Sequence, residues 1–347
     1  MRIIFAINMF VIFLLSSCAS ALGDFSGMSS KEIIEDVTSG NRRAIISVGI
    51  VQNGAMSHNV YGENGKALPD TEYIYEIASI TKTFTAQLFA RAISEGKASL
   101  DDTLDRFLDL PPKRYYPTIR RLLTHTSGYK YAYYNNSSSL IEATPNFEVF
   151  GGGVTKKMLL NTIGAINLED RDYPFEYSNF GFAVAGLVLE KIYNEDYASL
   201  INKYLSNDLG LNKTRVNDGS VNASNFWAWS KENPYIPAGA LISTITDMMK
   251  YAQMEIDGLP PYVGHSHTKS AQVDPPINEF DIITDAIGLG WWISSVNNII
   301  HHSGNTGYSN SFIGFNKAGR TAVVVLANMP GEQSRIIGSA ILRELWR

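Results

Sequence analysis

Four serines in this chain stand three residues ahead of a lysine: Ser79/Lys82, Ser94/Lys97, Ser127/Lys130 and Ser266/Lys269. On a helix, residues three apart share a face, so a hydroxyl and an amine at that spacing can meet. An amine that is not protonated can then take the serine proton and make the oxygen a nucleophile. The surroundings separate the four copies. Ser94 is followed by Gly96 at a helix end, Ser127 directly by Gly128, and Ser266 lies in a proline-rich stretch. Only Ser79 opens a sustained helical run straight after a strand. In that run, ITKTFTAQLFARAI, Lys82 is the sole charge before Arg91 and sits among Ile80, Phe84, Leu88 and Phe89. A lysine on so apolar a helix is costly to bury while charged, and desolvation lowers its pKa. The plain alternative is a lysine that snorkels to the surface, with Ser79 as a helix cap.

Two further clusters supply what the pair lacks. Tyr177-Ser178-Asn179 lies in a loop just ahead of a helix, where a phenol can approach Ser79 and relay its proton. The other Tyr-x-Asn copies begin at Tyr133 and Tyr134, in a Tyr/Asn/Ser-rich loop, and at Tyr308, at the start of a strand. His302-Ser303-Gly304 closes a strand, with Asn305 and Thr306 after it. Small residues at a strand edge can lie against an acyl group and offer it a backbone N–H. The competing Lys317-Ala318-Gly319 falls in a hairpin turn. His125 reads as a hydrogen-bonded structural histidine. His265 and His267 read as residues of a solvated loop, His301 as facing the opposite way to His302, and Trp291 and Trp292 as sheet packing.

The elements that must position these groups follow from the pattern of the chain. Residues 44–61 read as two strands about an Asn53-Gly54 turn, and Tyr73–Ile77 as a third. A helix runs from Ser79 to about Ser94, and SLDDTLDRFLDLPP reads as a short helix closed by Pro111 and Pro112. Helical patterns over Asn179–Tyr193 and Ser243–Ile256 follow, then a loop from Leu259 to Asp285. LGWWISS, NIIHHS, NSFIGFN and RTAVVVLAN are strands, and Glu332–Arg347 is a closing helix. Strands at both ends with helices between predict an α/β (α+β) fold. An antiparallel sheet would be built from both chain ends, with a mainly helical part inserted at about residues 100–240. With 347 residues, 45% of them hydrophobic, the chain can bury a large core over residues 25–347. Its net charge of -5, without any block of like charges, argues against nucleic acid as a partner.

Residues 1–21 have the form of an export signal: Arg2, an apolar run from Ile3 to Leu15, then small residues. Leu15-Ser16-Ser17-Cys18 fits a lipobox, in which Cys18 would carry lipid and anchor the protein to a membrane. Ala19-Ser20-Ala21 fits an ordinary cleavage site. Cys18 is the only cysteine in the chain and has no disulfide partner, which favours the lipobox.

The ordered set Ser79-Ile-Thr-Lys82, Tyr177-Ser-Asn179 and His302-Ser-Gly304 resembles the serine β-lactamase and penicillin-binding-protein superfamily. It is most similar to the class C β-lactamase and D-alanyl-D-alanine carboxypeptidase branch. Leu122–Gly128, Glu95–Asp102, Gly288–Trp291 and Val324–Asn328 match the same branch, so the resemblance runs from about residue 43 to the end. It implies an acyl-enzyme on Ser79, with Lys82 and Tyr177 moving protons and Asn179 holding the substrate amide. The oxyanion would lie between the N–H groups of Ser79 and Asn305, with His302, Ser303, Gly304 and Thr306 lining the substrate. No metal or organic cofactor is implied. The substrate would be a small molecule or cell-wall peptide: a D-alanyl peptide, a β-lactam, a small ester or a D-amino-acid amide. The alternative from another class is a peptidoglycan-binding surface protein that does not hydrolyse. Many relatives carry lysine where His302 stands. A histidine with an ordinary pKa of about 6.5 would be mostly uncharged near neutrality and would act as a hydrogen-bond donor. It would gain its proton as the pH falls from 7.5 to 6, improving recognition of a carboxylate.

Overall fold

Two apolar, β-branched segments from opposite ends of the chain lie side by side. Strand β1 (Ile46–Gln52) pairs antiparallel with the last strand, Thr321–Ala327, in a register that sets Ile46 opposite Ala327. The computed structural model describes residue 25 and residues 27–345, apart from 137–138, 143–152, 222–225 and 228. Residues 1–24, with the export signal and Cys18, therefore lie outside the described residues, as do 143–146.

In chain order the strands are β1, β2 (Ala55–Tyr61), β3 (Tyr75–Glu76), β4 (Tyr133–Asn136), β5 (Ser139–Glu142), β6 (Arg215–Val216), β7 (Leu241–Ser243), β8 (Ala271–Glu279), β9 (Ile282–Ile287), β10 (Trp292–Ser294), β11 (Ile299–Asn305), β12 (Asn310–Asn316) and β13 (Thr321–Ala327). The main sheet has the order β2-β1-β13-β12-β11-β10-β9-β8 and is antiparallel throughout. Asn53 and Gly54 both take positive φ (51° and 86°), which the two-residue hairpin between β1 and β2 requires. Every residue of β13 is buried, so its sequence is continuously apolar instead of alternating. One face of the sheet is covered by helices Ser30–Val37 and Gln333–Leu345. The other packs on helices Thr81–Ser94 and Ile245–Asp257.

Three expectations need correction. The segment 259–285 is not all loop: it forms β8 and β9. The prolines that hid β8 sit where an edge strand needs no outer ladder, and its register breaks between Gln272 and Ile277. The strand expected over Tyr73–Ile77 is only Tyr75–Glu76, and it joins β7 and β6 in a separate small sheet. The short helix expected after Ser99 is a single 3₁₀ turn, Leu104–Arg106.

The interior of the helical side decides the placement of the site. Helix Thr81–Ser94 is buried on nearly every side, between the sheet and helix Asn179–Tyr193. Its buried polar side chains, Thr83, Thr85 and Gln87 among them, are each hydrogen-bonded inside the protein. Helix Asn179–Tyr193 in turn packs on the short helix Ile236–Gly239, where a Cβ at Gly186 would stand 2.2 Å from Pro237 Cγ. A Gly-to-Ala change inside a helix normally gains about 1 kcal/mol in propensity. Against a rigid proline ring, overpacking costs about 1–3 kcal/mol and wins. Gly186→Ala is therefore expected to lower the urea unfolding midpoint, and a raised midpoint would contradict this packing.

Candidate active site

Ser79 stands in a 3₁₀ turn, Ala78–Ile80, that joins β3 to helix Thr81–Ser94. Ala78 has φ of 46°, a left-handed conformation that a side-chain-bearing residue holds only when its surroundings impose it. The surroundings here are specific. Ser311 Oγ donates to Ile77 O (2.8 Å), Ile77 N donates to Leu241 O (3.0 Å), and Leu241 N donates to Thr81 Oγ1 (3.2 Å). Gly304 of β11 closes the other side. A Cβ there would lie 2.4 Å from Ile77 O and 2.7 Å from Ser79 N, so only glycine lets the strand come this near. Ser79 is thus pinned from both sheets and left partly exposed.

Lys82 is one helical turn away and wholly buried. Its Nζ lies 3.0 Å from Ser79 Oγ and donates to Ala238 O at 2.6 Å. The Tyr177 ring is 4.9 Å from Nζ and the Phe182 ring 5.7 Å. Burial alone holds its pKa well below the ordinary lysine value. The other motif lysines differ. Lys97 forms an ion pair with Glu95 at 2.7 Å and Lys130 with Glu176 at 2.9 Å, and Lys269 is exposed.

The loop carrying Tyr177 is held by His125. Its Nδ1 accepts from Ser178 N (3.0 Å), its backbone oxygen accepts from Glu176 N (2.9 Å), and its ring lies 4.6 Å from that of Tyr177. Ser178 Oγ donates to Lys130 O and accepts from Gly181 N, capping helix Asn179–Tyr193. The structural role read for His125 is the one its bonds describe. The Tyr177 phenol is hydrogen-bonded with Ser79, and burial raises its pKa far above that of free tyrosine, so it keeps its proton. The Asn179 side chain, expected to face a substrate amide, is hydrogen-bonded with Tyr131.

Strand β11 supplies the third wall. Thr306 N donates to Ser309 O, and in an antiparallel ladder such bonds alternate. Ser303 and Asn305 therefore turn their N–H and C=O groups away from β12, toward the edge where β10 pairs no further than Trp292↔His301. His301 and His302 face opposite sides, as expected. His301 Nε2 meets Thr284 Oγ1 at 3.0 Å, whereas His302 shares its face of the strand with Gly304, which abuts Ile77 and Ser79. Two expectations fail here. His302 does not titrate between pH 7.5 and 6: burial, chiefly, pushes its pKa down to about 3. Thr306 does not present its hydroxyl to a substrate, because it donates to Glu76 Oε2 at 2.6 Å. Ser303 is half-buried and Asn305 exposed, with Asn305 Oδ1 accepting from Gly331 N at 3.2 Å.

Several residues at the site were missed or misread. Glu76, buried beside Thr306, carried no pattern of its own. Ala238 acts through its backbone oxygen, which leaves no mark in a sequence. Trp292 was read with Trp291 as packing. Trp291 does stack in the core on Tyr251, but Trp292 stands next to Tyr177 and Phe175, with ring centres 6.1 and 5.7 Å away. Strand alternation could have separated the two. His267 is not in a solvated loop: its Nε2 bonds buried Glu255 at 2.5 Å, and Gln87 donates to the same carboxylate.

The family model described as Beta-lactamase matches residues 31–344. Protein flp of Staphylococcus aureus strain N315 is 24% identical over 310 residues, covering 82% of this chain and 60% of the relative, so the chain spans well under two thirds of that protein. Among solved structures, the octameric penicillin-binding protein homologue from Pyrococcus abyssi superposes with a TM-score of 0.70 at 23% identity. It covers 96% of this chain and 77% of that one. A β-lactamase/D-alanine carboxypeptidase from Yersinia pestis, complexed with citrate, gives 0.71 at 16%, covering 96% and 99%. These likenesses show the β-lactamase/transpeptidase fold.

The buried histidines give the folded state a measurable acid sensitivity. Burial, the first cause, holds His125, His301 and His302 neutral, the latter two with pKa pushed down to about 3. Unfolding returns each to about 6.5, so below that pH the unfolded chain binds more protons. Stability is then full above about pH 6.5 and lost as the pH falls toward 3. Each histidine removes on the order of 1–2 kcal/mol at pH 5 relative to pH 7.5. His301→Gln, on the face away from Ser79, is expected to flatten the dependence of the urea midpoint on pH between 5 and 7.5. An unchanged slope would mean His301 is not held neutral.

Proposed function

The chain belongs to the Beta-lactamase family, and on that premise we propose that it hydrolyses esters or amides through an acyl-enzyme on Ser79. The observation that carries the reading is the Lys82 amine, buried 3.0 Å from Ser79 Oγ without a counter-ion among the described residues. A neutral amine there accepts the Ser79 proton as the oxygen attacks the substrate carbonyl. The N–H groups of Ser79 and Asn305 then face the developing oxyanion, each worth about 3 kcal/mol in sites of this kind. As the tetrahedral intermediate collapses, the proton on Lys82 passes through the Tyr177 phenol to the leaving group. Water reverses the sequence: it gives up a proton by the same route, attacks the Ser79 ester and releases the acid. Asn179 and the β11 edge would hold the substrate on either side of the scissile bond. D-alanyl peptides, β-lactams, small esters and D-amino-acid amides all suit this machinery, with a D,D-peptidase or β-lactamase-related activity first and an esterase second.

A fluorophosphonate probe is expected to label Ser79, and Ser79→Ala to abolish the adduct. Lys82→Ala and Tyr177→Phe should each slow acylation by about 10²–10⁴-fold, the usual size of a general acid–base contribution. Labelling that persists in Ser79→Ala, or near-normal rates in both other variants, would defeat the assignment. A folded protein that retains peptidoglycan but takes no label would favour the non-hydrolysing reading.

Export is proposed from the apolar run before Cys18, with lipid on Cys18 as the anchor. Cys18→Ala is then expected to move the protein from the membrane fraction to a soluble exported form. A protein that is soluble from the start, with Leu22 at its N-terminus, would favour cleavage after Ala21.

A further inference from the structure

The hydrogen-bonding polarity of the site along β11 can be read atom by atom. His302 Nδ1 lies 2.7 Å from Ser303 O, and a carbonyl oxygen can only accept. Nδ1 therefore carries the single proton of the neutral ring, and Nε2 is left as a bare lone pair. That Nε2 is buried and has no hydrogen-bond partner among the described residues. It lies on the same face of β11 as Gly304, the face pressed against the Ser79 turn, and close enough to Lys82 for the two groups to influence each other's charge. Thr306 has one hydroxyl proton, and it goes to the Glu76 carboxyl at 2.6 Å. Its oxygen meanwhile accepts from Tyr308 N (3.1 Å) and Ser309 N (3.0 Å). Glu76 is itself buried, its other oxygen accepting from Trp227 N at 2.7 Å.

A substrate carboxylate placed against this strand would meet a lone pair at His302 and no available proton at Thr306. Behind Thr306 it would meet a buried carboxyl group. Among the described residues the basic group close to His302 is Lys82, whose burial favours the neutral amine. What remains along the strand are neutral donors, the Ser303 hydroxyl, the Asn305 side-chain amide and the backbone N–H groups of Ser303 and Asn305, and none brings charge to offset the desolvation of an anion. A buried acceptor without a partner makes the opposite demand: it is satisfied by a ligand that brings an N–H or O–H.

We propose that the β11 side of the site selects an uncharged substrate that presents a hydrogen-bond donor to His302 Nε2, such as a carboxamide or a hydroxyl, and discriminates against a carboxylate in that position. This rests on the acyl-enzyme reading of Ser79 and names the substrate class for it.

A matched pair of esters tests it: 3-carbamoylphenyl acetate and 3-carboxyphenyl acetate, nearly equal in shape and differing in charge and in the donor they carry. Each kcat/KM is divided by the ester's own hydroxide-catalysed rate. The wild-type protein is expected to favour the carbamoyl ester by about tenfold or more, the scale of one mismatched hydrogen bond to a charged group. His302→Lys should invert that ratio. His302→Leu, which removes the acceptor while keeping an apolar side chain, should narrow it by slowing the carbamoyl ester. A wild-type ratio near one or favouring the carboxylate overturns the proposal, as does a ratio unmoved in both variants. Fluorophosphonate labelling of Ser79, measured in parallel, separates the two levels. Labelling with the wrong ratio counts against the selectivity, and absence of labelling in the wild type counts against the acyl-enzyme reading beneath it.

Discussion

A lysine with no counter-ion among the described residues, sealed between a sheet and a helical layer, is the constraint around which this structure is arranged. Lys82 reaches the interior because helix Thr81–Ser94 is buried on nearly every side, and among the described residues its polar contacts there are Ser79 Oγ and Ala238 O. An ammonium group so placed would lack the hydration that stabilises its charge, so the interior favours the amine. The rest of the site follows from keeping that amine pointed at one oxygen. The left-handed turn at Ala78 lifts Ser79 out of the helix. Gly304 lets β11 approach the turn, and Gly186 lets Ile236–Gly239 come close enough to offer its carbonyl.

The neighbouring groups extend the same logic. Burial favours the protonated form of Tyr177, just as it favours the unprotonated form of Lys82, and the two meet at Ser79. His125 and His302 are neutral as well. The result is a candidate site rich in titratable side chains whose burial favours no charge on any of them. Such a site can move a proton among its members without first paying to discharge one, and it offers little to an anionic ligand. Glu76, whose carboxyl burial pushes upward, fits the pattern at its margin.

Much of this was legible in the sequence because it depends on side-chain type at fixed spacing. The Ser79/Lys82 pair stood apart from its three copies by the apolarity of its helix. Tyr177 was placed by the helix it precedes, and the strands from Gly288 onward by their β-branched runs. What escaped was set by backbone and by burial. Pro275 and Pro276 concealed β8 because an edge strand tolerates what a central one does not. The carbonyl of Ala238 has no sequence signature. His302 was placed on the right strand, but its proton was misjudged. Its ordinary pKa says nothing of an imidazole whose one N–H is taken by its neighbour's carbonyl and whose other nitrogen is buried. Thr306 was misjudged for the same reason: its partner, Glu76, lies 230 residues away in the chain.

The central claim is that Lys82 is an amine, not an ammonium group, at the pH where the protein works. Nitrogen-15 NMR of protein labelled at the lysine Nζ positions reads this directly, with the Lys82 signal assigned by its loss in Lys82→Arg. The account predicts a resonance at the neutral-amine shift at pH 7 that becomes an ammonium signal only on acidification. A Lys82 signal that stays at the ammonium shift up to pH 10 would contradict it.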